Sequence, residues 1–157
     1  MQRVATFLLG PLLTLWLGSL WVIGYLVVPL LFARLPDRML AGALAGELLA
    51  LASWIGLIMV GPLAWCLRRT LPAGKRSAWV WWALLGVALG HLLQLAWIQP
   101  EMAAMKAGVA PLDVMQTSLR DRFVRWHAGA SVLYLLQSLS GLVIAALAMG
   151  RFREDQP

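Results

Sequence analysis

Apolar residues do not alternate with polar ones along this chain; they run. Four stretches, roughly residues 5–32, 39–67, 78–98 and 123–148, are each long enough for the ~20 residues a helix needs to cross hydrocarbon. The first, "ATFLLGPLLTLWLGSLWVIGYLVVPLLF", exceeds the ~7–15-residue apolar core of a cleaved signal peptide and reads as a retained span. Prolines 11, 29 and 62 fall inside the runs. They would kink or end a soluble helix, but in a membrane neighbouring helices satisfy the freed carbonyls. "ARLPDR" and "RRTLPAGKRS" are turn-length connections, leaving "QPEMAAMKAGVAPLDVMQTSLRD" (99–121) as the one substantial loop. A short interfacial helix is expected over "EMAAMKAG", before Pro111. No soluble domain, phosphate loop or repeat is visible. Short links between sequential spans predict a single all-α domain over 1–157, an up-down-up-down four-helix membrane bundle.

Within the runs the polar residues are few and patterned. On the fourth span, "RFVRWHAGASVLYLLQSLSG" (122–141) sets Ser131, Tyr134 and Ser138 at offsets of four, seven and eleven from His127, all on one side of a helix. Thr14, Gly18, Trp21 and Tyr25 repeat that spacing on the first span. On the third, His91 and Gln94 are one turn apart, with Gly86 and Gly90 on the Gln94 side. Glycines four apart, these and Gly42 with Gly46, let helix backbones approach closely. Counted down from the face bearing the first turn and the long loop, Tyr25, Glu47, His91 and His127 lie roughly 6–12 Å below one surface. Ser131 and Gln94 are near the same level. A polar group aimed at lipid is costly, so the stripes are expected to turn inward and meet. His127 is expected against Glu47 or Tyr25, with Ser131 beneath it. The plainer reading is that Ser, Thr, Gln and Tyr are interhelical glue, worth about 1 kcal/mol each. His127 would then be a headgroup-level histidine, and Glu47 a snorkelling carboxylate or a partner of Arg125 or His127. Intramembrane ionisable groups are by default functional, and His91 and Glu47 both lie deeper than His127.

Composition agrees with the runs. The chain is 61% hydrophobic and 13% charged, against about a quarter charged in a soluble domain. A net charge of +6 would suggest nucleic acid in a soluble protein. Here the basic residues flank apolar runs, and the partner they imply is the lipid bilayer, not nucleic acid. The single cysteine, Cys66, excludes an internal disulfide and a Cys-rich metal site. Trp65, Trp79, Trp81 and Trp82 gather around the second connection, and Trp97 and Trp126 mark the opposite face, as an interfacial belt requires. Trp16, Trp21 and Trp54 lie deeper and are expected to pack between helices. Seven basic residues fall on the side of the termini (Arg3, Arg68, Arg69, Lys75, Arg76, Arg151, Arg153) and six on the other (Arg34, Arg38, Lys106, Arg120, Arg122, Arg125). The compact "RRTLPAGKR" leads to the expectation that both termini are cytoplasmic.

What chemistry these residues support is limited. Glu47, His91 and His127 supply two imidazoles and a carboxylate for a metal, but no pair shares a helix face at i and i+4 as in H-E-x-x-H. A bis-histidine haem would need the third and fourth spans to be diagonal, because adjacent helices pack at about 8–10 Å. No cofactor is implied by a strong motif. No serine nucleophile with a base nearby and no paired carboxylates appear, which argues against a hydrolase or transferase. Small-solute or cation handling uses the same residues more naturally, since histidine titrates near neutral pH. Four short helices enclose little volume, so a permeation path would call for a homo-oligomer or a membrane-protein partner. The alternative is a non-catalytic partner subunit or a haem- or metal-binding redox module.

"WLGSLWVIGYLVVPLLFARLPDRMLAGALAGELL" resembles the opening of a bacterial four-span membrane family of unknown function related to eukaryotic transmembrane protein 205. The pattern is Trp-x-Gly, Pro-x-Leu-Phe, a short polar turn and a second helix rich in small residues. "RFVRWHAGASVLYLLQSL" is similar to the family's fourth helix, and "IQPEM" to its segment after the third. The residues that carry the likeness are Trp16, Gly18, Pro29, Phe32, His127 and Ser131. The resemblance implies a four-span bundle. It also brings an association of the eukaryotic relative with resistance to a platinum drug, and a distant likeness to four-helix proteins of copper uptake and haem biosynthesis. The first-helix histidine of the haem-linked relatives is absent here, and Glu47 stands where that pattern has an apolar residue.

Overall fold

The computed structural model describes residues 1–108 and 114–149, and among these every regular element is helical. In chain order they are α1 (Gln2–Trp21), α2 (Val28–Arg34), α3 (Arg38–Thr70), α4 (Lys75–Leu93), α5 (Gln99–Ala107) and α6 (Arg120–Met149). A single 3-10 turn, Val114–Gln116, precedes α6. Four continuous helices are long and apolar enough to cross a membrane: Gln2–Arg34, Arg38–Thr70, Ser77–Ala107 and Arg120–Ala148. At ~1.5 Å per residue each exceeds the ~30 Å hydrocarbon core, so their ends reach into the headgroups.

The third span is longer than its apolar run suggests. Where a loop was expected from residue 99, α4 continues into α5 through a π-helical turn, Gln94–Ile98, in which the Gln99 N–H bonds the Gln94 carbonyl five residues back. The first span contains the same device: Val22–Val27 joins α1 to α2, and the Val28 N–H bonds the Ile23 carbonyl. Each wide turn lies just before a proline, Pro29 or Pro100. A proline ring crowds the carbonyl four residues back and offers no N–H to it, and a π turn is one way for a helix to absorb this without breaking. Pro11 and Pro62 sit inside α1 and α3 without such a turn. Between the first and second spans, the Asp37 side chain accepts from the N–H groups of Met39 (2.8 Å) and Leu40 (3.3 Å), an N-cap that starts α3 immediately after the turn.

The spans form a closed ring in chain order: α1 on α3, α3 on α4, α4 on α6, and α6 back on α1. The α1–α6 seam is the slimmest of these, and α6 meets the first span through α1 and the π-helical turn that follows it. Along its length the bundle has two halves. Ala5, Leu9, Leu13, Trp16 and Leu17 of α1 pack with Leu63, Cys66 and Leu67 of α3, Val80, Leu84 and Val87 of α4, and Ile144 and Ala148 of α6. This half is apolar except for the Trp16 indole N–H, which is buried without a partner among the described residues. The buried polar side chains, Ser53, His91, Gln94, Gln137 and Ser138, lie beyond it.

Trp16 is buried as expected, but Trp21 and Trp54 are 40% and 54% exposed. They stand on the outer surface of their helices, facing lipid. Trp79, Trp82 and Trp97 are also exposed, at the ends of spans where indoles favour the interface. Pro111, Arg151 and Arg153, and the side chain of Arg76, lie outside the described residues.

Candidate functional site

The buried polar side chains belong to α3, α4 and its π-helical turn, and α6, and His91, Gln137 and Tyr134 are seated on glycines. The His91 ring lies against Gly56 of α3 so closely that a Cβ there would collide with Nε2. Gln137 of α6 covers Gly90 of α4, where a Cβ would stand 2.9 Å from its Nε2. Tyr134 covers Gly24 in the first span's π-helical turn. Small residues let helix backbones approach in lipid, where no hydrophobic drive brings helices together. Here they make room for polar side chains instead.

The hydrogen bonding is uneven. The Tyr134 hydroxyl donates to the Leu20 carbonyl. Its ring meets that of Tyr25 edge-on, with centroids 5.9 Å apart. The Tyr25 hydroxyl donates to Ser138 Oγ at 3.0 Å, and Ser138 donates to the Tyr134 carbonyl at 3.0 Å. These bonds clasp the slim seam between the first and fourth spans. Gln137 Nε2 reaches the Val87 carbonyl only at 3.5 Å, the outer limit of such a bond. His91 is 1% exposed, and among the described residues neither of its ring nitrogens has a hydrogen-bond partner. A neutral imidazole carries one donor and one acceptor, and leaving both unmet in a protein interior costs about 1–3 kcal/mol for each group.

The expected convergence forms only in part. His91, Gln94 and Tyr134 are buried, and Tyr25 joins the fourth span through Ser138 although half of it is exposed. Glu47, His127 and Ser131 are exposed. The expectation that His127 meets Glu47 or Tyr25 inside the bundle is therefore corrected: its ring stacks on Phe123, one turn back on α6, at 6.2 Å. Ser131 donates to the His127 carbonyl at 2.9 Å. His127 shares a face with Tyr134, but at its level α6 has passed beyond α1 and α2 does not close the gap. Glu47 is turned outward because α3 buries the stripe Ala41, Ala45, Ala52, Ser53 and Gly56. A residue two positions from Ala45 falls on the opposite side. Thr14 and Trp21 are likewise exposed, and with Gly18 they line a shallow outer groove against Ala145 of α6.

Among the described residues no three His, Cys, Asp or Glu side chains come together, so Glu47, His91 and His127 do not make the metal set considered from sequence. The third and fourth spans are neighbours, and of the two imidazoles one is enclosed and the other faces out. They do not fit opposite axial positions of one haem.

Sequence reasoning missed Gly56, Gly24, Gln137 and Lys106. Ala52 and Gly56 are four apart, which is the small-residue signal already applied to Gly86–Gly90, and it would have found Gly56. Gly86 meets nothing within 4 Å. Gln137 adjoins Ser138 and needed only the neighbouring face to be considered. Lys106 had been counted only as a flanking charge. Its ammonium donates to the Gly42 carbonyl at 2.9 Å and lies 5.8 Å from the Phe123 ring centroid. It thus ties α5 to α3 at the open end of the bundle.

Four apolar spans in a closed ring, with a buried polar layer and no extramembrane domain among the described residues, define a multi-pass integral membrane protein. The chain matches the family described as Domain of unknown function (DUF4149) over residues 12–110, and it belongs to that family. The matched segment includes Trp16, Gly18, Pro29, Phe32 and His91, while His127 and Ser131 lie beyond it. No curated protein and no solved structure matches the chain.

The seating of His91 on Gly56 makes a quantitative expectation. Gly56→Ala should destabilise the bundle by about 1–3 kcal/mol through overpacking, measured by unfolding in mixed detergent micelles. The same change on a His91→Ala background should be close to neutral. Equal penalties in both backgrounds would show that the two residues are not coupled.

Proposed function

We propose that this protein handles a small polar solute or a cation within the bilayer, and that the His91 layer is where it does so. One observation carries the reading: an imidazole enclosed at the centre of an apolar bundle, with both nitrogens unanswered among the described residues. Tyr134 and Ser138 are bonded. The Trp16 indole N–H is also buried without a partner among the described residues, but it is a donor alone, whereas His91 leaves both a donor and an acceptor unmet. Gln94 and Gln137 add amide groups at the same level. With Glu47 outside, the layer contains no carboxylate among the described residues, and these offer a cation imidazole, amide and hydroxyl atoms. That set suits proton transfer or a small neutral solute better than a hard divalent ion. A permease- or resistance-type role in a bacterial inner membrane, with cytoplasmic termini and kinship to transmembrane protein 205, belongs to this same reading.

A second reading, a partner subunit or homo-oligomer, is favoured by Glu47. A carboxylate facing hydrocarbon is costly, and a helix from another chain covering it would relieve that cost. The two readings are compatible, because a conducting path through so small a bundle calls for more than one copy.

The first reading is tested in vesicles loaded with a pH-sensitive dye and energised by a potassium gradient with valinomycin. Wild-type protein should change the internal pH severalfold faster than protein-free vesicles. His91→Ala, checked for helicity, should fall to that baseline. Equal rates for the two proteins would remove the His91 layer from the account.

The second is tested by the mass of the particle in mild detergent. Wild type should exceed the 17.3 kDa of one chain after correction for bound detergent, and Glu47→Leu should return it to a monomer. A monomeric wild type would contradict it.

A further inference from the structure

On the outer surface between α4 and α6 lies a groove of about 960 Å³, separate from the polar layer. Its character changes along its length. One end carries Arg122 and Arg125, flanked by Trp97 and Trp126; the rest is lined by apolar residues such as Leu93, Leu133 and Leu136, with Gly129 and Ala130 keeping it open. Arg122 gives one N–H to Glu101 at 3.1 Å, which leaves most of its guanidinium fork free. Arg125 is exposed. From Arg125 to Leu136 the groove follows α6 for roughly 16 Å, close to half of the ~30 Å hydrocarbon core.

These dimensions and charges fit a single class of ligand. Two guanidinium groups at headgroup level recognise a phosphate, which arginine binds in bidentate fashion. Indoles beside them sit at the polar–apolar boundary. Below them runs an apolar trough one leaflet deep. We propose that this groove holds one anionic glycerophospholipid, with its phosphate on Arg122 and Arg125 and an acyl chain along Gly129, Ala130, Leu133 and Leu136. The site lies on the outer face of the bundle and does not depend on the reading of the His91 layer. Charge complementarity chooses the occupant: a second protein chain would have to leave the arginines unpaired or bring its own acids, whereas an anionic lipid brings phosphate and tail together.

The test is native mass spectrometry of protein released from phosphatidylcholine bilayers containing a minority of phosphatidylglycerol. The wild type should retain phosphatidylglycerol in preference to phosphatidylcholine. Arg122→Gln with Arg125→Gln should lower that retention by about fivefold per arginine, the equivalent of ~1 kcal/mol for each. A side chain at Gly129 would enter open space, since a Cβ there meets nothing within 4 Å. Gly129→Leu should therefore fill the trough without disturbing the fold, and displace the lipid with both arginines in place. Arg68→Gln with Arg69→Gln, at the opposite end of the bundle, should change nothing. Equal retention of the two lipids overturns the proposal. So does a loss as large from the Arg68 and Arg69 pair, which would mark general surface charge. Retention that falls with Arg122 and Arg125 but ignores Gly129→Leu also overturns it, because the lipid would then be held by its headgroup alone.

Discussion

Helices in a bilayer gain nothing from leaving lipid for one another's apolar surfaces, so contact has to be gained through close packing and polar bonds. In this bundle both come from the same few places. Gly24, Gly56 and Gly90 each receive a polar side chain from a neighbouring helix: Tyr134, His91 and Gln137 respectively. Remove the glycine and the polar group has no seat; remove the polar group and the glycine faces a void. The spacing of α3, α4, α6 and the first span in the middle of the membrane rests on these three fits. The apolar half, from Ala5 to Leu17 and their partners, packs as an ordinary interior and gives the polar half something rigid to build on.

The two π-helical turns extend this arrangement. Both occur in spans running in the same direction, and both fall at the border between the apolar half and the open end. One turn contains Gly24 and Tyr25, and the other begins at Gln94. A wider turn changes the rotation of everything beyond it, and π turns are found disproportionately at functional sites. Beyond the border the bundle loosens. Lys106 bridges α5 to α3, Phe123 and His127 stack on the surface of α6, and among the described residues no helix covers Glu47. The protein is thus tight and dry at one end and polar and less closed at the other, with His91 at the junction.

Much of this was legible in the sequence, and the part that was not has a physical cause. Hydropathy found the spans because backbone groups in lipid must be satisfied within a helix. The rise per residue set His91 and Gln94 near one level, and both are buried. Rotation about each helix axis was harder. α3 is apolar nearly all round, so periodicity marks no face, and a polar residue such as Glu47 seemed the natural pointer inward. The real pointer was the row of small residues, Ala41, Ala45, Ala52 and Gly56. His127 failed differently: it shares a face with Tyr134, but at its level α6 has passed beyond α1 and meets α5 instead. The extension of the third span past Trp97 was hidden because Pro100 reads as a helix stop, and a π turn absorbs it.

The central claim is that the His91 layer admits something hydrophilic, while the surrounding bundle is dry. The chain has two histidines, so nitrogen-15 spectra of histidine-labelled protein in bilayers contain just two imidazoles, and His91→Gln assigns them. Transfer of magnetisation from water then reports which ring is wet. Exposed His127 should polarise fast in any case. The account predicts that His91, although 1% exposed, polarises nearly as fast; a His91 signal that stays dark to water while His127 is bright would contradict it.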